Sequence, residues 1–133
     1  MSIKKYLGAA CVALAMILCV SDQGICAEAL KVLGQSNPSA TTATTLYTVP
    51  ASTSTVVSTI TVANQSSSGG TFRIAIRPAG DSLAAQHYIA YDVAIAGNDT
   101  IIVTIGVTLA TTDVITVYAS SANMSFNAFG SEL

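Results

Sequence analysis

The stretch Ile101-Ile102-Val103-Thr104-Ile105-Gly106-Val107-Thr108-Leu109 alternates with a period of two residues. Its odd-numbered positions are all Ile, Val or Leu, whereas Thr and Gly occupy positions 104, 106 and 108. Successive side chains of a β-strand point to opposite faces of a sheet, so this pattern predicts a strand with one buried face. Because the run is the longest and most regular of its kind in the chain, we expect it to be a central strand of the core.

Shorter alternating segments flank this strand, and turn residues separate them. They cover residues 45–49, 56–63, 71–77, 88–93, 114–119 and 124–128. Phe72, Ile74 and Ile76 are expected to face inward, and Val56 is expected to share a buried face with Ile60. Seven or eight strands with turns every 8–12 residues or so predict an all-β fold, a single antiparallel β-sandwich of the jelly-roll or immunoglobulin-like kind.

The N-terminal residues 1–29 have the pattern of a secretory signal peptide. A short basic region precedes a charge-free apolar run over residues 7–20, and Ala27-Glu28-Ala29 fits a small-x-small cleavage site. The apolar run is shorter than the roughly 20 residues of a membrane-spanning helix. We therefore expect cleavage after Ala29 and no membrane association afterwards, with cleavage after Ala27 and a retained anchor as the alternatives. All three cysteines precede Ala27, so the mature domain would contain no disulfide.

Residues 30–45 are expected to form an extended N-terminal arm, or a brief edge strand, ahead of a sandwich that covers residues 46–133. The segment begins with the apolar residues Leu30, Val32 and Leu33 and continues into turn-forming residues. An unpaired extended segment can add a strand to the sheet of another molecule. Leu30, Val32 and Leu33 are therefore candidate interface residues.

Charged residues are scarce, at 9% of the chain, and the formal net charge is −2. The only cations after residue 30 are Lys31, Arg73 and Arg77, which form no basic patch and so argue against nucleic-acid binding. A soluble domain usually carries more surface charge than this. The composition therefore favours a subunit that packs against copies of itself, and a hydroxyl-rich extracellular domain is the alternative.

No combination of residues indicates catalysis, a metal site or a cofactor. His87 is the only histidine, and no pattern places a nucleophile and an orienting group beside it. The Asp and Asn residues of the turns match no calcium-binding loop, and we expect them to bond their own backbones. We therefore predict that the protein is not an enzyme.

Four further residues complete the candidate interface. Arg73 and Arg77 alternate onto one face of their predicted strand, and Tyr88 and Tyr118 are expected on the outer faces of theirs. Exposed tyrosines of this kind either fill a contact between subunits or stack on a sugar ring.

Several segments resemble those of a known class of proteins. They are Leu30-Lys31-Val32-Leu33-Gly34-Gln35, Leu46-Tyr47-Thr48-Val49-Pro50, Phe72-Arg73-Ile74-Ala75-Ile76-Arg77-Pro78-Ala79-Gly80, His87-Tyr88-Ile89-Ala90-Tyr91-Asp92, Thr112-Asp113-Val114-Ile115-Thr116-Val117-Tyr118-Ala119 and Phe126-Asn127-Ala128-Phe129-Gly130-Ser131-Glu132. Together they resemble small structural proteins of tailed bacteriophages, such as virion, tail or decoration proteins, over nearly all of residues 30–133. The resemblance implies an architectural β domain that packs against itself or against a capsid or tail surface, and it supplies no catalytic residues.

The leader departs from that class, whose members assemble in the cytoplasm and normally lack an export signal. The sequence therefore predicts a structural subunit that is secreted or displayed on the cell surface as part of a filament or layer, with a virion location as the alternative. A secreted module that binds carbohydrate or a cell surface is the alternative function.

Overall fold

In the computed structural model, residues 29–133 are described, and the predicted signal peptide lies outside this range except for its last residue. Eight strands form two antiparallel four-stranded sheets that pack face to face, which confirms the predicted β-sandwich. The strands are β1 (Lys31–Ser36), β2 (Thr44–Thr48), β3 (Thr55–Asn64), β4 (Gly70–Arg77), β5 (Tyr88–Ile95), β6 (Thr100–Leu109), β7 (Val114–Ala119) and β8 (Met124–Glu132). Two single 3₁₀ turns, Pro78–Gly80 and Ala85–His87, lie between β4 and β5.

The order of the strands identifies the kind of sandwich. One sheet has the order β1-β8-β3-β6, which we call sheet A, and the other has the order β2-β7-β4-β5, which we call sheet B. The first strand pairs with the last, the second with the seventh, the third with the sixth and the fourth with the fifth, as in a long hairpin that has been rolled up. This nested pairing is the eight-stranded jelly roll, the first of the two predicted alternatives.

Two phenylalanines from opposite sheets form the centre of the core. The rings of Phe72 on β4 and Phe126 on β8 meet edge to face with their centroids 6.2 Å apart, and both side chains are fully buried. The predicted inward face of β4 is confirmed, because Phe72 and Ile74 are fully buried and Ile76 packs against the core. The other large, fully buried side chains are Ile60, Ile74, Leu109, Ile115, Met124, Val49, Val57, Val62 and Val117.

The strand that begins at Thr100 occupies a different place from the one predicted. Its odd-numbered residues do pack towards the core, but β6 is an edge strand and pairs only with β3 among the described strands. The expectation of a central strand was therefore wrong. Alternation reports that one face of a strand is buried, and this holds equally at the centre and at the edge of an antiparallel sheet.

A β-bulge changes the predicted face of β3. Val57 pairs with Gly130 and Thr59 with Phe129, so that Ser58 is an extra residue opposite β8. Its hydroxyl donates a hydrogen bond of 3.0 Å to the carbonyl of Phe129. One inserted residue reverses the alternation, so Val57 is buried where Val56 had been expected.

The predicted N-terminal arm is part of the sandwich. Residues of β1 pair with β8 of the same chain, and Leu33 packs against the core. A side chain at Gly34 would collide with the carbonyl of Leu46, so glycine permits β1 to approach β2. The alternative of a brief edge strand was therefore the better one, and the domain begins at β1 instead of residue 46.

A polar network ties the two sheets together at one end. Tyr47 on β2 donates a hydrogen bond of 2.7 Å from its hydroxyl to Glu132 on β8, and the same hydroxyl lies 2.9 Å from that of Thr55 on β3. The ammonium of Lys31 pairs with the other carboxylate oxygen of Glu132. Burial raises the pKa of Tyr47 to about 12, and the hydrogen bonds from Lys31 and Tyr47 lower the pKa of Glu132.

Replacing Phe126 with alanine tests the core. Phe126→Ala removes a fully buried ring from the contact between the sheets, so we expect the free energy of unfolding to fall by about 3–5 kcal/mol in urea denaturation followed by circular dichroism. Ile89→Ala is the control because Ile89 is 47% exposed, and its effect should stay within about 0.5 kcal/mol. Equal losses in the two variants would contradict this description of the core.

The polar network predicts a dependence of stability on pH. The folded state holds the Tyr47 proton more tightly than the unfolded chain, so stability should fall as pH rises from about 10 to about 12. The pKa of Glu132 is lowered in the folded state, so stability should also fall as pH decreases below about 4. Thermal unfolding of Tyr47→Phe should show a shallower alkaline decline than the unmodified protein. Tyr91→Phe is the control, because it leaves Tyr47 unchanged, and it should retain the full alkaline decline in stability.

Candidate binding surface

Two bulges in β5 set the geometry of the exposed aromatic residues. The pairing of β5 with β4 shifts register on each side of Ala90, and Asp92 at the second shift has a positive φ of 48°. In a regular strand, residues three positions apart lie on opposite faces. Here Tyr88 and Tyr91 touch instead, with their ring centroids 4.8 Å apart and their planes nearly perpendicular.

The guanidinium group of Arg73 connects these tyrosines to the neighbouring strands. It lies over the ring of Tyr91 at 4.1 Å and over the ring of Tyr118, its cross-strand partner on β7, at 4.5 Å. Both distances are within the range of a cation–π interaction. Its Nε and Nη2 atoms donate to the two carboxylate oxygens of Asp92 at 2.6 and 3.1 Å. We call Arg73, Tyr88, Tyr91, Asp92 and Tyr118 the Arg73 cluster.

The charge of Arg73 is fixed and locally balanced. Its ion pair with Asp92 raises the pKa of the guanidinium group, which is charged at every physiological pH in any case. Because both oxygens of Asp92 are engaged, the cluster presents aromatic rings to solvent more than net charge. Tyr91 is the most exposed of its members, with 58% of its surface accessible.

A shallow groove of about 590 Å³ adjoins the cluster. Tyr88 and Tyr91 form one wall, and Leu83, Ala84 and Ala85 from the loop before β5 form the other. His87 holds that loop in place because its Nδ1 atom accepts a hydrogen bond of 3.1 Å from the backbone N–H of Ala84. Apolar walls with a few phenolic hydroxyls suit a small amphipathic ligand, for which a sugar ring is one example.

The structure brings together only part of the predicted interface. Arg73, Tyr88 and Tyr118 meet in the cluster, whereas Arg77 bonds to the hydroxyl of Thr116 and to the carbonyl of Asp81. Val32 and Leu33 lie on β1 of sheet A instead, and Leu30 directly precedes that strand. Of these, Leu30 and Val32 are 81% and 50% exposed, and Leu33 packs inward.

Tyr91 and Asp92 are members that the sequence reasoning missed. Regular alternation would put Tyr91 on the same face as Val93. Val93, however, pairs with the buried Phe72, whereas Tyr91 lies beneath the guanidinium group of Arg73. One signal was present, because aspartate is enriched at positive φ and is uncommon inside strands. Asp92 within an otherwise apolar run therefore marked the position of the irregularity.

The prediction that the turn residues bond backbone groups holds for Asp99 and Asp113 and is wrong for Asp92, which pairs with Arg73. The carboxylate of Asp113 accepts the N–H groups of Ala79 and Ala110, and Asp99 accepts that of Thr100, all at 2.8 Å. Within residues 29–133 no three His, Cys, Asp or Glu side chains are grouped as metal ligands would be.

The outer face of sheet A is neutral. Gln35 donates to Asn127 across β1 and β8 at 2.7 Å, and Asn127 donates to Thr61 on β3 at 3.4 Å. Thr61 in turn pairs with Ile102 on β6, which is 67% exposed. Amides, hydroxyls and one large apolar side chain thus follow one another across the sheet.

In the described part of the chain, no helix is long and apolar enough to cross a membrane.

No protein-family model matches the chain, and no curated protein or solved structure is significantly similar to it. The resemblance to bacteriophage structural proteins therefore stays a prediction. Function has to be argued from the surface of the domain, since a jelly roll by itself hosts many unrelated functions.

Proposed function

We propose that this domain is a non-enzymatic structural subunit that associates with copies of itself outside the cytoplasm, in a surface layer or filament. The observation that supports this most directly is that its cations are bonded within the chain. Lys31 is paired with Glu132 and Arg73 with Asp92, while Arg77 is bonded to Thr116 and to backbone carbonyls. Each cation of residues 29–133 is thus engaged within the chain. The three cations and five carboxylates of this range leave a formal net charge of only −2, so charge does little to keep separate copies apart.

Exposed apolar side chains on both sheets support the same conclusion. Val32 and Ile102 are 50% and 67% exposed on sheet A, and Ile89 and Tyr91 are 47% and 58% exposed on β5. A single exposed apolar residue is ordinary, but exposed apolar residues on a surface with so few charges favour association over solubility.

The fold is compatible with this function without deciding it. Jelly rolls form the subunits of many viral capsids, and they also form lectins. The predicted leader directs the domain out of the cytoplasm, which favours a surface or secreted assembly, and assembly in a virion is the alternative. In either location, the domain would have to pack against copies of itself.

Measuring the mass of the purified protein in solution tests the proposal. Light scattering coupled to size exclusion should give a mass above that of one chain, and the mass should rise with concentration. Association through neutral surfaces should persist in 1 M salt, where the Debye length is only about 3 Å. Mass spectrometry of the same material should place the mature N-terminus after Ala29. A single-chain mass at concentrations near 1 mM, where only very weak binding escapes detection, would rule the proposal out.

The groove beside the Arg73 cluster favours a second candidate function, the binding of carbohydrate. Tyr88 and Tyr91 line a cavity of about 590 Å³, a volume within the range of small-molecule sites. Tyrosine rings stack on the apolar faces of sugars and offer hydroxyls to their edges. Arg77, which bonds elsewhere, and Tyr118, which does not line the groove, would not contribute directly.

A glycan array with three variants tests this second function. Tyr88→Ala and Tyr91→Ala each remove one of the two rings that form a wall of the groove, so we expect either one to weaken binding by about tenfold or more. Tyr118→Ala is the matched control, because it removes a tyrosine of the same cluster that does not line the groove. A glycan signal that all three variants reduce equally, or the lack of any signal, would contradict a sugar site here.

A further inference from the structure

The four edge strands of the sandwich differ in how well they are protected against pairing with another strand. β2 has five residues and β1 has six, which gives each a short edge. β5 has eight residues, but two bulges and the charged Asp92 interrupt it. Short length, bulges and charge are the usual means by which proteins prevent pairing between sheet edges.

β6 shows the least of this protection. It has ten residues, Thr100–Leu109, none of which is charged or proline. Nine of them are β-branched or leucine, at positions that alternate between exposed and buried or part-buried. Within residues 29–133 it pairs on one side only, with β3. The backbone N–H and C=O groups on its other side are therefore left to solvent or to a further strand.

We propose that β6 pairs in antiparallel fashion with β6 of a second copy of this chain, joining two sheets A into one eight-stranded sheet. This inference rests on the self-association proposed above and names one of the surfaces responsible for it. A two-fold axis makes a strand meet itself, so the strand has to be complementary to itself. β6 meets this condition because no like charges would face one another, whereas self-pairing of β5 would bring in two copies of Asp92.

The local geometry of β6 indicates the register of this pairing. The strand follows a turn at Gly97–Asp99, and Gly106 interrupts it with a positive φ of 57° where the pairing with β3 shifts. The regular part is therefore residues 100–105, with its centre near Ile102. With the two-fold axis at this centre, Ile102 faces Ile102 of the second copy, and Thr100 faces Thr104 of the second copy. Both are favourable cross-strand pairs, and the first buries a side chain that is now 67% exposed.

Single cysteines test the register. Residues 29–133 contain no cysteine, so each engineered thiol is the only one in the mature chain. Opposed residues of antiparallel strands have Cα atoms about 4.5–5.5 Å apart, which is within the range of a disulfide. We expect Ile102→Cys to form a disulfide-linked dimer on mild oxidation. Thr108→Cys, which is exposed on the same strand but lies beyond the bulge, should form none, because the two copies of residue 108 would lie far apart.

Charge tests the pairing itself. Ile102→Lys places two ammonium groups opposite one another at the centre of the proposed contact, so we expect the dissociation constant from sedimentation equilibrium to rise about tenfold or more. Thr108→Lys adds the same charge outside the paired segment and should leave the constant within about twofold. Circular dichroism should show both variants folded, because both side chains are exposed in the single chain.

The possible outcomes distinguish a failure of the β6 contact from a failure of the proposed self-association. Self-association that Ile102→Lys leaves intact, without cross-linking of Ile102→Cys, would overturn the β6 contact and leave assembly to another surface. Cross-linking of Ile102→Cys to a different polypeptide in the producing cells, in place of a second copy, would overturn the choice of partner. A protein that stays a single chain at every concentration would overturn both the inference and the proposed function.

Discussion

The contact between the two sheets at Phe72 and Phe126 is the interaction on which the rest of the domain depends. Residues 29–133 contain no cysteine, and the only helical pieces in this range are single 3₁₀ turns. Burial between the sheets must therefore hold the strands together, with the Tyr47 network closing one end. Because the nested pairing brings the first strand beside the last, the core is complete only when the whole chain from β1 to β8 has been placed. Such long-range pairing predicts slow and cooperative folding.

The strand content, the inward faces of most strands and the choice of a sandwich follow from the period-two pattern. That pattern reports burial of one face and carries no information on the lateral position of a strand. For this reason the most regular run, β6, was expected at the centre and lies at the edge. The nested strand order likewise depends on pairings between distant segments, such as Lys31 with Gly130, which a local pattern does not contain.

Bulges account for most of what the sequence did not reveal about the candidate site. Ser58 is one inserted residue in β3, and the two register shifts in β5, one on each side of Ala90, insert one residue each. Each insertion reverses the faces of the side chains that follow it. The same irregularity that separates Tyr91 from the face of Val93 brings its ring beneath Arg73. The Arg73 cluster thus depends on the departures from regular β structure, and a reading that assumes regular strands assigns its members to different faces.

Scarce charge and an unprotected edge are connected by a single physical argument. Proteins that remain single commonly place lysine or another charge on exposed edges, since charge resists the desolvation that strand pairing requires. In this domain Lys31 and Arg73 form ion pairs within the chain, and the only charge on β5 lies in a bulge. β6 is the longest edge and, like the five-residue β2, carries no charge to desolvate. Pairing there removes exposed Ile102 from water and satisfies backbone groups at once, without any change in the core. An assembly built this way would be limited by geometry at Gly106, which ends the regular edge, more than by electrostatic repulsion.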